Sequence, residues 1–330
     1  MNSFGKLFRV SIFGESHGEC VGITIDGCPA GLALTEDDLL PDLERRKGGK
    51  QKGTTPRQEA DYPIFKSGIF NGKTTGFPIT ILFENNNTRS EDYQKQRSIP
   101  RPGHADFTAH EKFGGNEDYR GGGHFSARLT TGLVAAGAIA KKLMQNIAID
   151  AEVIEIGGEK DLEKGLQNAI DAKDSVGGLV ECKVNGLPVG LGEPYFDSVE
   201  SALAHIIFAI PAVRGIEFGT GFAAAKMFGS EHNDAIEDMH GKTTTNHAGG
   251  VVGGISNGNE LVFRLAIKPT SSTPKEQRSL NWDTQEVESF SIKGRHDLCV
   301  ALRAPVIVEA ATAIVLADLM MQEQRIKRVL

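Results

Sequence analysis

No two of the four cysteines (Cys20, Cys28, Cys182, Cys299) are close enough to form a CxxC pair. A cysteine zinc site and a secreted disulfide scaffold are therefore set aside, and reduced, partly buried thiols of a cytoplasmic protein are expected. No apolar run approaches the ~20 residues needed to span a bilayer, so no membrane partner is expected. The opening MNSFGKLFRV lacks the charged-then-apolar layout of a signal peptide. Positive charge is short as well: 36 Lys and Arg face 43 Asp and Glu, a net of -7, and nothing global points to nucleic acid. The nine histidines show no HxxxH or HExxH spacing, which speaks against a zinc hydrolase and leaves no metal expected. GKTT occurs at 72–75 and 241–244, but Ser67 and Ile236 stand where a phosphate-cradling loop needs glycine. No Ser/Gly linker or low-complexity tract divides the 330 residues, and residues 1–330 are read as one large domain.

Glycine, by contrast, is plentiful. The 39 glycines cluster at 48–49, 121–123, 249–250 and 253–254, where backbone can approach a ligand or another backbone closely. Two-residue alternation predicts strands at 7–13, 21–26, 79–83, 180–184 and 260–267. Helical periodicity is strongest at 129–144, and a second helix is expected from about Ser198. A third is expected over 306–328, with Lys and Arg in its last turn. ITIDGCPAGL (23–32) resembles CKVNGLPVGL (182–191), each followed by a helical stretch, which suggests two related halves in one body.

Several segments carry chemistry. Phe13-Gly14-Glu15-Ser16-His17-Gly18-Glu19 follows a strand and places a histidine among small residues, with few neighbours to bury it. Pro100-Arg101-Pro102-Gly103-His104-Ala105-Asp106 presents an arginine and a histidine from a proline-stiffened loop. Residues 45–57, RRKGGKQKGTTPR, hold six basic side chains and no acid. They read as a mobile cap over a phosphorylated small molecule, or as a solvated loop. Arg120-Gly121-Gly122-Gly123-His124-Phe125-Ser126-Ala127-Arg128 leads into the 129–144 helix, whose N-terminal amides favour an anion. Lys268-Pro269-Thr270-Ser271-Ser272 offers hydroxyls and an ammonium. In Lys293-Gly294-Arg295-His296-Asp297, a strand would place Arg295 and Asp297 on one face.

Taken in order, GESHG, IDGCPAG, RPGHAD, the GGG-to-SAR segment, NHAGGVVGGIS, KPTSS and GRHD resemble the chorismate synthase family. The motifs span residues 14 to 297. The resemblance implies an α+β fold with helices sandwiched between antiparallel sheets, consistent with an internal pseudo-duplication, and a homotetramer. It implies a carbon–oxygen lyase of aromatic amino acid biosynthesis. The reaction is the anti-1,4-elimination of phosphate from 5-enolpyruvylshikimate-3-phosphate, giving chorismate in the last step of the shikimate pathway. It also implies reduced FMN, with NADPH as a candidate reductant. Carried over residue by residue, His17 is the general acid and His104 meets the departing phosphate. Ser16 and Ser126 orient these groups, and Asp297 assists removal of the ring proton. Flavin contacts fall on His124, Phe125, Ser126, Pro211, Ala212, Gly253, Lys268, Pro269, Thr270, Ser271, Ser272 and Arg295. Arg46, Lys52, Arg101 and Arg128 fall on substrate or NADP contacts, with Arg295 also among the arginines that clamp phosphate and carboxylates.

The sequence departs from the family in three places. His124-Phe125 replaces a common Arg-Ser, which implies backbone contacts only. Lys52 replaces an arginine and loses the bidentate fork. The 156–174 stretch is shorter than in longer members. Two alternatives stay open on the residues alone. One is an NADPH-dependent flavin reductase using Gly219-Thr220-Gly221-Phe222-Ala223-Ala224. The other is an RNA-binding protein using residues 45–57.

Overall fold

The alternating apolar segments of the first third pair into one antiparallel sheet. The computed structural model describes residues 2–49, 51–55, 59–87, 97–292 and 296–330. In it β1 (Ser3–Phe4), β2 (Arg9–Gly14) and β3 (Cys20–Asp26) are followed by helix α1 (Leu40–Arg46) and β4 (Ile64–Ser67). A small ribbon of β5 (Ile69–Phe70) and β6 (Lys73–Thr74) then leads to β7 (Ile79–Glu84). The sheet order is β1-β2-β3-β7-β4. Ile23 pairs with Ile12 on one side and Ile81 on the other. Val21, Ile23, Ile25, Ile79, Ile81 and Phe83 are all buried, as the two-residue period demands of a sheet with one face on the core.

After α2 (Asp106–Phe113) and α3 (Thr130–Leu143), the chain builds a second antiparallel sheet. It comprises β8 (Ala148–Ile156), β9 (Gly178–Asn185), β10 (Val213–Phe218) and, after the hairpin β11 (Val251–Val252) and β12 (Ile255–Ser256), β13 (Leu261–Ile267). Helices α4 (Leu162–Ala172), α5 (Val199–Ile207) and α6 (Gly229–His232) are interleaved. The order is β10-β13-β9-β8. A hairpin of β14 (Gln277–Leu280) and β15 (Val287–Phe290) precedes the last helix, α7 (Ala304–Gln322). Helix α3 packs on β3, α7 packs on β8 and β9, and the two helices pack on each other. The layers are thus sheet, helices, sheet, as the family resemblance implies.

The helices approach closely where Gly137 meets Ala310. A Cβ at 137 would lie 2.3 Å from the Ala310 Cα. Helix α7 is buried on every side from Val306 to Leu319. The sequence reading of no span-length apolar run is corrected: Val300–Gln322 is long and apolar enough for a membrane span, yet it is mostly buried inside the fold. Its end also differs from expectation. Gln324 takes a left-handed φ of 54°, and the Arg325 N–H closes on Met320 O at 2.8 Å, a cap that stops the helix. Arg325, Lys327 and Arg328 therefore lie beyond the last turn.

Ser198 caps α5 as expected, its Oγ accepting from Ser201 N at 3.0 Å. The two similar decapeptides adopt matching turns. Gly27 and Gly186 have φ of 84° and 85°, Gly31 and Gly190 φ of 93° and 104°, and Cys28, Leu32, Leu187 and Leu191 are buried. Burial pushes the Cys28 and Cys182 thiols up to about 12, so neither offers a reactive thiolate. Two buried carboxylates on α7 tie distant segments. Glu309 takes Arg45 (2.6 and 2.7 Å), Lys141 (2.8 Å) and the Ala151 N–H (3.2 Å). Asp318 accepts from the backbone N–H of Lys6, Leu7 and Phe8 at 2.6–3.1 Å.

Candidate active site

One cavity of about 930 Å³ collects most of the residues singled out in the sequence. Gly121, the first of the glycine run ahead of α3, is on its lining. Gly121, Gly122 and Gly123 have φ of 59°, 85° and 52°, a conformation L side chains resist. The absent side chains make room for the two histidines. A Cβ on Gly121 would lie 2.4 Å from His17 Cδ2, and one on Gly122 would lie 3.2 Å from His104 Cε1. The backbone is locked to the end of β2: Ser16 N–H donates to Gly123 O (3.1 Å) and His124 Nδ1 pairs with Gly14 O (2.9 Å). Ser16 is fully buried, and its Oγ donates toward the carbonyls of Arg120 and Gly121 at 3.3 and 3.2 Å. His17 lines the cavity but is only 7% exposed. The expectation of few burying neighbours is corrected, because the glycine backbone itself covers the ring.

One corner is a buried cluster of charge. Arg128 and Arg46 share the carboxylate of Asp61: Arg128 Nη1 bonds Oδ1, and Arg46 Nη1 is 3.3 Å from Oδ2. Burial, reinforced by Arg303 and Arg128, pushes the Arg46 guanidinium down to about 9 against the pull of Asp61. Ser126 Oγ accepts from Arg128 N at 3.2 Å, capping the turn that leads into α3.

A second cluster on the lining carries Arg101 and His104. Arg101 holds Asp106 with both Nε and Nη2 at 2.7 Å, and Asp106 Oδ1 lies 2.6 Å from His104 Nδ1. Burial opposes ionisation of Asp106, but the hydrogen bonds from Arg101 and His104 outweigh it and hold the carboxyl well below its usual range. With Nδ1 engaged, His104 keeps Nε2 beside Gly122. Next to it, Lys268 Nζ reaches Gly103 O (2.9 Å) and Ser271 Oγ (2.8 Å), and Arg101 Nη1 reaches Ser272 Oγ (3.4 Å). Burial, with Arg214 second, lowers the Lys268 ammonium. His124, Phe125, Ser126, Pro211, Ala212, Pro269 and Thr270 complete this lining. Ala212 adopts φ 74°. Thr270 Oγ1 is buried and has no hydrogen-bond partner among the described residues.

Some expected residues fall elsewhere. Lys52 Nζ bonds Gln167 on α4 at 2.8 Å and does not line the cavity. Gly253, in the β11–β12 turn, does not line it either. Arg295 lies outside the described residues. Asp297 lines the cavity from a loop, not a strand, so the one-face argument for Arg295 and Asp297 fails. Its partners are the Thr55 N–H (2.8 Å) and Arg303 Nη1 (3.0 Å). Residues 45–57 hold no acid of their own, but the fold supplies it. Arg45 meets Glu309 and Asp42, Arg46 meets Asp61, and Lys47 meets Glu44. The picture of six unneutralised cations forming a mobile cap is therefore corrected for Arg45, Arg46 and Lys47, and these three no longer form a free basic patch for RNA. After β10, residues 221–226 form a 3₁₀ turn, not a dinucleotide-binding helix.

Asp61 and Arg303 were missed because no pattern in sequence marks an isolated charge in a loop or at a helix start. His205 on α5, which lies in no motif, is also on the cavity wall, 5.2 Å from the Phe4 ring.

The fold and this cavity define an α+β enzyme whose site pairs two histidines with buried arginines, suited to a small anionic molecule. A family profile described as chorismate synthase matches residues 8–321. The chorismate synthase of Chitinophaga pinensis is 68% identical over 330 residues, covering 100% of this chain and 99% of its own. That of Methanocaldococcus jannaschii is 43% identical over 366, covering 98% and 97%. A crystal structure of chorismate synthase matches with a TM-score of 0.74 at 26% identity, over 97% of this chain and 93% of that one. The chain belongs to the chorismate synthase family.

Proposed function

We propose that this chain eliminates phosphate from 5-enolpyruvylshikimate-3-phosphate to give chorismate, with reduced FMN held in the cavity. The observation that carries the reading is the placement of His17 and His104 against adjacent glycines, on one cavity with Arg46, Arg101 and Arg128. The cavity is near the top of the roughly 300–1,000 Å³ range of small-molecule sites, which suits a cofactor together with a substrate. The unpartnered Thr270 Oγ1 and the hydroxyls of Ser271 and Ser272 fit a flavin's polar groups. Pro211, Ala212 and the 124–126 backbone would hold its flat face. When bound, the reduced flavin supplies an electron-rich ring that lends and recovers electron density without net redox change.

The protein's own part is electrostatic and protonic. Breaking the carbon–oxygen bond leaves charge on phosphate, which Arg101 and His104 neutralise in a water-poor pocket. Asp106 keeps His104 Nδ1 engaged, so Nε2 is the atom that meets the leaving group. His17, shielded by Gly121, serves as general acid. Asp297, aligned by Thr55 and Arg303, supplies the carboxylate that guides the departing ring proton. The same proposal includes one catalytic unit over residues 1–330, a homotetramer, a cytoplasmic setting, and no nucleic-acid or membrane partner.

The test is anaerobic conversion of 5-enolpyruvylshikimate-3-phosphate with dithionite-reduced FMN, with chorismate and phosphate both measured. Phosphate release equal to chorismate formed is expected, and absence of both with reduced FMN present overturns the proposal. A second arm with oxidised FMN and NADPH decides whether the chain reduces its own flavin.

A further inference from the structure

The arginine corner of the cavity can be counted donor by donor. A guanidinium has five N–H groups. Arg46 commits four of them: Nε to Thr130 Oγ1 (3.0 Å), one on Nη1 to Asp61 (3.3 Å), and both on Nη2 to the carbonyls of Ala127 (2.8 Å) and Arg128 (3.3 Å). Arg128 also commits four: Nε to Asn85 Oδ1 (3.0 Å), both on Nη1 to Asp61 and Thr131 Oγ1 (3.4 Å), and one on Nη2 to Glu84 O (3.2 Å). Among the described residues, each guanidinium therefore has one N–H without a hydrogen-bond partner.

The charge count agrees with the donor count. Two cations share one carboxylate, and all three side chains are nearly excluded from solvent. Arg303 is already matched by Asp297. Among these described side chains, one positive charge remains over the three-residue cluster, where charge imbalance is costly. Asp61 holds this position with φ at 49°, an uncommon conformation outside glycine that Asp and Asn tolerate best.

We propose that Asp61 is a positioning and specificity residue that sets this corner to accept one carboxylate of the substrate and to reject free phosphate. A carboxylate brings one charge and two oxygens, one for each free N–H. A phosphate dianion brings a second charge and a third oxygen against the Asp61 carboxylate. This inference rests on the substrate class proposed above and assigns the phosphate end of that substrate to the Arg101–His104 wall.

The test uses the full-length protein and inorganic phosphate as probe. Phosphate affinity is read from the rise in melting temperature with phosphate and from its inhibition of turnover. Asp61→Asn keeps the backbone conformation accessible and removes the charge. It should bind phosphate at least tenfold more tightly than wild type while kcat/KM falls at least tenfold. A purely structural role would weaken both. Asp61→Glu retains the charge at a displaced position, so phosphate affinity should stay within about threefold while kcat/KM falls. If Asp61→Asn binds phosphate no better than wild type, or Asp61→Glu gains affinity, the proposal is overturned. The Glu variant decides alone if the Asn variant does not fold. The melting-temperature readout needs no turnover, so a chain that makes no chorismate would sink the activity proposal and leave this test standing.

Discussion

Alanine at position 121 adds one carbon where the structure has space for none. Its Cβ would lie 2.4 Å from His17 Cδ2, 2.6 Å from Nε2 and 2.9 Å from Ser16 Oγ. Ordinary carbon contacts begin near 3.4 Å, so the imidazole must retreat by about 1 Å, a displacement that costs catalysis on the order of 10²-fold. The left-handed backbone adds about 1–2 kcal/mol of strain. Spread over 330 residues at ~2.1 cal/mol/K each, that strain lowers the melting temperature by roughly 1.5–3 °C. Gly158→Ala isolates the strain, because φ there is 86° and nothing lies within 4 Å of the added carbon. Gly122→Ala is intermediate: its Cβ would be 3.2 Å from His104 Cε1 and 3.3 Å from Nε2, a misfit of only a few tenths of an ångström. Phosphate release with reduced FMN, alongside calorimetric melting, should show similar melting losses in all three. Turnover should fall about 10²-fold in Gly121→Ala, less than tenfold in Gly122→Ala and not at all in Gly158→Ala. If Gly122→Ala is the worse of the cavity pair, or Gly121→Ala matches Gly158→Ala in rate, the steric argument for the glycine run is wrong.

His17→Ala and His104→Ala should each cut turnover by roughly 10²–10⁴-fold, with His110→Ala near wild type. His110 stacks on Trp282 at 4.5 Å and does not line the cavity, whereas His205 is on the cavity wall and is not a neutral control. Asp106 has its carboxyl pKa lowered in the folded state, so the stability it contributes is full well above the unfolded value near 3.9 and is lost as pH falls below it. Asp106→Asn should therefore flatten the drop in melting temperature between about pH 5 and 3, and an unchanged slope would show that Asp106 adds no acid sensitivity. Glu309→Ala leaves Arg45 and Lys141 with Asp42 as their remaining partner and removes the acceptor of the Ala151 N–H, and should cost about 1–3 kcal/mol in urea unfolding. A loss under 1 kcal/mol would mean that water reaches the cluster.

Strands were legible in sequence where apolar residues recur at two-residue spacing, as Val21, Ile23 and Ile25 do on one buried face. The Ser198 cap and the paired decapeptides were legible because their chemistry is local. What escaped depends on distant partners. The negative charge that neutralises residues 45–47 comes from Asp42, Glu44, Asp61 and Glu309, and only the fold brings the last two there. Asp61 carries no periodicity, and its left-handed φ leaves no trace in composition. Asp106 was within a quoted motif, yet its hold on both Arg101 and His104 follows from the turn into α2. Helix α7 was foreseen, but its apolar sides were not seen as a span-like run because Glu309 and Asp318 interrupt them.

Those two acids have a consequence for how the chain is made. Helix α7 is made after α3, α5, β8 and β9, and it fills the middle layer against all four. Until it emerges, α3 lacks its central partner and β8 and β9 lack the helix that covers them. The backbone amides of Lys6, Leu7 and Phe8 must also wait for Asp318 before they are satisfied. Docking of residues 6–8 thus waits for a side chain made about 310 residues later. Early exposure of both half-layers leaves apolar surface open to aggregation, although every motif of the active site has by then been synthesised.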